Sequence, residues 1–180
     1  MIAEEKQRLR SGLLKTLREL TPAEKLRQSR EIGRLLTAQP LWGSARRVFA
    51  FHPLGDEPAI FSLLISRGGF CLPRIDKEIM RFYPVADPHS LRPGPHGILE
   101  PKPTDEEVLP AQEDLLLVPG LAFSRDGCRL GRGGGFYDRF LEGCSAATLG
   151  VCFYQQILSN LPMAAHDQRV GGVIFPEAGR

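Results

Sequence analysis

The feature that most limits what this chain can fold into is the alternation of short apolar runs with segments of helical period. "ARRVFAF" ending at Phe51, "GFCLPRI" (69–75), "IMRFYPV" (79–85), "DLLLVPG" (114–120), "ATLGVCF" (147–153) and "GGVIF" (171–175) have the length and composition of buried strands. Around them, residues 2–20, 21–36 and "AIFSLLIS" (59–66) read as helices, and a short one begins at Phe136. Strands interleaved with helices argue an α/β fold with a parallel component in its sheet. Ligands of such sheets gather outside the carboxyl ends of the strands. Here those ends lead into the turn at 52–57, the turn at 119–124 and a glycine-rich stretch. At 180 residues the chain is expected to form a single domain, 1–180, with the helical pair 2–37 packed on an α/β core.

The first helix carries an anomaly. At 100° per residue, Leu9, Leu13, Leu17 and Leu20 share a face, and so do Lys6 and Arg10. Unpaired buried charge is expensive. Either the helix end frays and both cations reach water, or they face an anion held by the rest of the fold. "TPAE" (21–24) restarts the chain as a helix, with Thr21 as N-cap, Pro22 at the first helical position and Glu24 completing a capping box. From Pro84 to Pro110 the sequence has seven prolines and little periodicity, which predicts a long loop, either functional or disordered, and leaves open whether 86–113 is a lid or a static strap.

Charge narrows the function classes. With 23 basic and 21 acidic residues the net charge is +2, so no dominant basic field exists to coat nucleic acid. No apolar run approaches the roughly 18–20 residues that span a bilayer. The N-terminus is charged from Glu4 onward, unlike a secretory signal. Cys71, Cys128, Cys144 and Cys152 show neither disulfide nor metal-finger spacing, so reduced thiols in a cytoplasmic protein are expected. No membrane partner and no nucleic acid are expected, and the chain is expected to be a monomer or weak dimer.

"LGRGGGFYDRF" (130–140) is the chemical centre of the sequence. It lacks the G-K-[ST] ending of a Walker loop. Gly131 and Gly133 fit a dinucleotide fingerprint, but its third position falls on Phe136, and no strand is read immediately before it. An anion nest, in which successive N–H groups curl around an oxygen, fits better. Arg129 and Arg132 add positive charge, and a helix start follows. Asp138 would repel a phosphate unless a cation stood between them, and Mg²⁺ takes one or two carboxylates plus phosphate oxygens. The loop's own chemistry thus points to Mg-ATP, against the plainer reading of a glycine turn in which Asp138 caps a helix.

"LLLVPGLAFSRDGCRLGRGGGFYDRFL" resembles the hallmark segment of the 5-formyltetrahydrofolate cyclo-ligases. "KQRLR" near the start, "LPR" (72–74), "GILEP" (97–101) and "QILSNLPMAAHD" (156–167) extend the resemblance over nearly the whole chain. It implies a three-layer α/β/α sandwich with a mixed, largely parallel central sheet. It also implies a cytoplasmic enzyme of one-carbon metabolism that converts 5-formyltetrahydrofolate to 5,10-methenyltetrahydrofolate, cleaving ATP to ADP and phosphate. The N5-formyl oxygen is a poor leaving group. Phosphorylating it lets N10 attack and close the ring, chemistry that depends on positioning and charge stabilisation.

Carried onto this sequence, the resemblance makes Lys6, Arg10, Arg129, Leu130, Gly131, Arg132, Gly133, Gly134, Gly135, Phe136 and Tyr137 the ATP contacts. Arg132 and Tyr137 become the pair that acts on the reacting groups. Leu54, Glu57, Arg132, Gly133, Gly134, Gly135 and Phe136 border the reduced folate. Asp138 and Asp167 ligate Mg²⁺, with His166 expected to orient Asp167. One departure stands out: the family's turn reads E-x-[D/E]-T, but this chain reads "EPAI", with Ala59 and Ile60 in place of the acid and the threonine. The departure leaves two readings open: Glu57 takes over the contact to the pterin's donor edge, or the chain is a relative with weak activity or one using the same Mg-ATP site on another formylated or carbonyl substrate. Phe123-Ser124 stands where Phe-Asp is usual. His52 is expected to be a partly exposed turn residue, and His89 and His96 to lie in solvent.

Overall fold

The structure is a computed structural model and describes residues 1–94, 97–102 and 106–178. Helix α1 spans Ile2–Glu19 and buries Lys6, Leu13 and Leu17 along one stripe. Helix α2, Pro22–Thr37, starts as the sequence predicts: the Thr21 hydroxyl accepts the Glu24 N–H at 3.2 Å. The reciprocal half of the capping box is absent, because the Glu24 carboxylate accepts from Gln155 instead. A short helix the sequence reading missed, α3 (Pro40–Ser44), opens on a proline and buries Trp42. Helix α4 is Phe61–Arg67 and ends at Gly68.

The central sheet is built from β1 (Val48–Phe49), β2 (Phe70–Asp76), β3 (Ile79–Pro84), β6 (Leu115–Val118), β9 (Ala147–Val151) and β10 (Gly172–Ile174). Their spatial order is β10-β9-β6-β1-β2-β3. Every pairing is parallel except β2 with β3, which form an antiparallel hairpin running from Cys71 opposite Pro84 to Asp76 opposite Ile79. Strand β6 is four consecutive buried apolar residues, the pattern of a parallel strand covered on both faces. Side chains alternate across a strand, and they sort the layers. Leu115 and Leu117 pack in one core with Leu13 and Leu17 of α1, Ile32 and Leu36 of α2, Trp42 of α3 and Leu64 of α4. Leu116 and Val118 pack in the other with Phe82, Phe123 and Leu141 of α5 (Phe136–Leu141). The three-layer reading therefore holds, with one layer of four helices and an opposite layer of a single short helix and a hairpin.

That hairpin is β7 (Ala122–Phe123) with β8 (Arg129–Leu130). It corrects the sequence reading in one respect: a strand does stand directly before the glycines. It is only two residues long and antiparallel, so the parallel βα unit of a dinucleotide fingerprint is still missing. Within the proline-rich stretch, β4 (Arg92–Pro93) pairs with β5 (Leu99–Glu100). Val108 donates to the Phe82 carbonyl at 2.9 Å, and Arg81 pairs with Glu107 at 3.0 Å. The described parts of this stretch are thus strapped to the β2–β3 hairpin. His89 is exposed, while His96 lies outside the described residues.

Candidate active site

The carboxyl ends of β1 and β6 deliver Phe51–Glu57 and Pro119–Gly120 to one side of a cavity of about 530 Å³. The glycine loop and the start of α5 (Gly131, Arg132, Gly134 to Asp138) form its second side. A third, apolar side comes from Pro73, Ile75 and Met80 of the hairpin and Ile98 before β5. The sequence reading expected the first two sides and missed the third. Its signal lies in the "LPR" and "GILEP" segments, which supply Pro73 and Ile98.

The loop takes its shape from left-handed residues. Gly133 has φ 108° and Gly135, the N-cap of α5, has φ 68°. Arg10 Nε donates to the Gly131 carbonyl at 2.9 Å, and Arg139 donates to the Gly134 carbonyl at 3.1 Å. The loop's carbonyls are therefore drawn outward by cations. Its N–H groups from 131 to 135 have no acceptor among the described residues. This is the donor arrangement an anion nest requires. Asp138 lies in the first turn of α5 and makes no capping bond, which removes the plainer reading of a capped turn.

The positive charge that Arg129 and Arg132 add to the loop is already paired within the fold. Arg129 is buried and donates to Asp138 Oδ1 at 2.8 Å while lying over the Tyr137 ring at 5.7 Å. Arg132 reaches across the cavity mouth to Asp56 at 2.6 Å and Glu57 at 3.3 Å. Glu57 also accepts the Leu54 N–H at 3.0 Å. Burial pushes the Glu57 carboxyl above its usual range, although Leu54 and Arg132 oppose the shift. Lys6 resolves its own anomaly: it is 7% exposed and donates to Asp167 Oδ2. Asp167 also accepts the Ala164 N–H at 2.5 Å. Burial alone would raise the Asp167 carboxyl, but Lys6 and the Ala164 amide outweigh it and hold the group below its usual range. His166 is largely exposed, 3.8 Å from Asp167, so Lys6 and Ala164 do the orienting assigned to it.

Asp138 Oδ1 accepts the Gln168 N–H at 3.3 Å, which sets the 164–168 turn, and hence Asp167, beside α5. Among the described residues no three metal-binding side chains gather. A pair of carboxylates is nonetheless what Mg²⁺ takes when phosphates and water complete its shell. Tyr137 holds a buried hydroxyl without a partner among the described residues, and burial raises its ionisation far above the usual range. Phe136 borders the cavity with Arg139 over its ring at 5.2 Å. Leu130 is core, 1% exposed, and could meet a ligand only through its backbone. Burial lowers the His52 pKa, and the ring packs on Phe61 at 4.8 Å. Ala59, the departure from the family turn, lines an adjoining pocket between α2, α4 and the 52–59 turn, which shares His52, Leu54 and Glu57 with the main cavity. Ser124 bonds Asp126 and accepts the Cys128 N–H, closing the β7–β8 turn away from the cavity.

A mostly parallel α/β sheet with a loop of unspent amide donors at its carboxyl edge places this cavity where open α/β sheets bind small molecules. The family model of the 5-formyltetrahydrofolate cyclo-ligases matches residues 2–176. The 5-formyltetrahydrofolate cyclo-ligase of Mus musculus is 30% identical over 96% of this chain and 94% of its own. That of Mycolicibacterium smegmatis is 30% identical over 99% and 97%. The structure of Aquifex aeolicus 5,10-methenyltetrahydrofolate synthetase superposes with a TM-score of 0.85 at 29% identity, covering 96% of this chain and 90% of that one. The chain belongs to the 5-formyltetrahydrofolate cyclo-ligase family.

Proposed function

We propose that this chain converts 5-formyltetrahydrofolate to 5,10-methenyltetrahydrofolate with cleavage of ATP to ADP and phosphate. The family assignment supports the reaction, and one observation supports the site: unspent amide donors at 131–135 beside a cavity with an apolar wall. The amides suit phosphate oxygens, and the wall of Pro73, Ile75 and Met80 suits a flat heterocycle. The residues present fit Mg-ATP. Lys6 spends one of three ammonium donors on Asp167. Asp138 Oδ2 has no partner among the described residues. Asp138 and Asp167 would hold the metal, and Gly131–Gly135 with Arg129, Arg132, Lys6 and Arg10 would hold the nucleotide. Mg-ATP, when bound, supplies the phosphoryl group that turns the formyl oxygen into a leaving group.

The chain's own part is positioning and charge. Leu54, Glu57 and Phe136 border the folate so that N10 faces the formyl carbon, and fixing that geometry supplies much of the acceleration. Arg132 links the folate turn to the phosphate loop, so its guanidinium can follow charge as it develops on the transferred oxygen. Tyr137 lines the same cavity with its hydroxyl neutral and its donor unspent among the described residues. An ¹⁸O label on the formyl oxygen tests this route. The label should appear in released phosphate, and its appearance in water would reject activation through that oxygen.

A further inference from the structure

Glu100, on β5, is 5% exposed and lines the apolar side of the main cavity. No family contact carried onto this chain includes it. Its burial is built into the fold: the carboxyl passes so close over Gly94 that a Cβ there would stand 2.4 Å from the Glu100 Cδ. The Ile75 backbone N–H and the Arg74 guanidinium are the positive groups facing it, and Arg74 is itself directed to the Pro101 carbonyl at 3.3 Å. Among the described residues no side chain hydrogen-bonds the Glu100 carboxylate. With the Ile75 amide as its protein donor, the carboxylate stands at the cavity with accepting capacity to spare.

The other acids of the cavity are already committed: Asp138 is paired with Arg129 and stands at the phosphate loop. Glu57 accepts from Leu54 and from Arg132, at the mouth where the two loops meet. The position where the family turn has its second acid holds Ala59, an apolar residue that lines the adjoining pocket. A 2-amino-4-oxopteridine presents two parallel donors, its N3–H and its 2-amino group, on one edge. A carboxylate receives such a pair in a two-pronged arrangement, as it receives an arginine fork. We propose that Glu100 is the acid that reads this donor edge, with the ring laid against Pro73, Ile75, Met80 and Ile98. This rests on the folate reading above and adds a specificity-determining residue to it.

The test compares binding of 5-formyltetrahydrofolate with that of its analogue bearing a 2-methyl group in place of the 2-amino group. Wild type, Glu100→Gln and Glu57→Gln are titrated by calorimetry, each also with Mg-ATP alone. Hydrogen bonds to a charged group set the scale at roughly 10- to 100-fold in affinity. Wild type should prefer the 2-amino ligand by that factor. Glu100→Gln should bind the two ligands within about threefold of each other, on the scale of a weakened hydrogen bond, with its Mg-ATP affinity unchanged. A merely structural role would weaken both ligands alike and leave the preference intact, and that result overturns the inference. So does loss of the preference in Glu57→Gln with its retention in Glu100→Gln. If wild type binds neither pteridine while still binding Mg-ATP, the folate reading and this inference fall together. If wild type discriminates and Glu100→Gln does too, the inference alone falls.

Discussion

The Lys6–Asp167 pair joins the first turns of α1 to the turn before β10, and its removal has calculable consequences. The two side chains are 9% and 7% exposed, so this is a buried pair. Truncating one partner of such a pair strands the other charge at about 3–5 kcal/mol. We expect about 3 kcal/mol for Lys6→Met, the low end of that range, because the first turns of α1 can fray and admit water to Asp167. For a chain of this size that is a fall in Tm of roughly 6–12 °C. Asp167→Asn strands Lys6 and should cost about as much, again on the buried-pair scale. The double variant should be no less stable than either single one, a coupling of about 3 kcal/mol or more. Urea unfolding of the four proteins without nucleotide reads all three quantities. The contribution has a definite pH sense. Asp167 is held below its usual range in the folded chain, so its stabilisation is present above the ordinary carboxylate range. It is lost as the pH falls through the lower folded value, and the gap between wild type and Asp167→Asn should close in acid. Single variants that each cost under about 1 kcal/mol and simply add would show a solvent-screened contact and refute this reasoning.

Asp138→Asn should abolish Mg-ATP turnover, with a loss of stability of about 1–3 kcal/mol from weakening the Arg129 contact; full activity would remove Asp138 from the metal site. Ala59→Asp should leave pterin affinity within about twofold, a surface-scale change, because Ala59 lines the adjoining pocket; a large tightening by calorimetry would show that the turn moves on binding. Cys144 is partly exposed, while burial pushes the Cys71 thiol up to about 12 and raises Cys152 as well. With an aromatic disulfide reagent at pH 8, Cys144 should react first, and Cys71 and Cys152 only after unfolding; rapid reaction of either would contradict their packing.

What the sequence made legible follows from how far each signal reaches along the chain. The stripe through Leu13 and Leu17 is local, repeats over several turns and put Lys6 on the buried face correctly. The parallel strands were visible as apolar runs such as Leu115–Val118 because both their faces are covered. Strands β7 and β8 are two residues each and α3 is five, too short for any period to register. Pairings across long separations were also hidden. Nothing in "RLGRGGG" says that Arg132 meets Asp56 and Glu57, or that Arg129 turns inward to Asp138. The motif announced an anion loop, but only the fold tells which of its charges are already spent. The apolar wall escaped for the same reason, since Pro73, Met80 and Ile98 converge only once the β2–β3 hairpin and β5 are in place.

If one cavity holds a phosphoryl donor and a formylated folate together, their turnover must be coupled. The most direct measurement mixes the protein, Mg-ATP and 5-formyltetrahydrofolate and follows methenyl absorbance and ADP release in the same cuvette. The account predicts that both appear in equal amounts and that neither appears when the other substrate is left out. ADP released without methenyl product, or methenyl product formed without ATP, would contradict it.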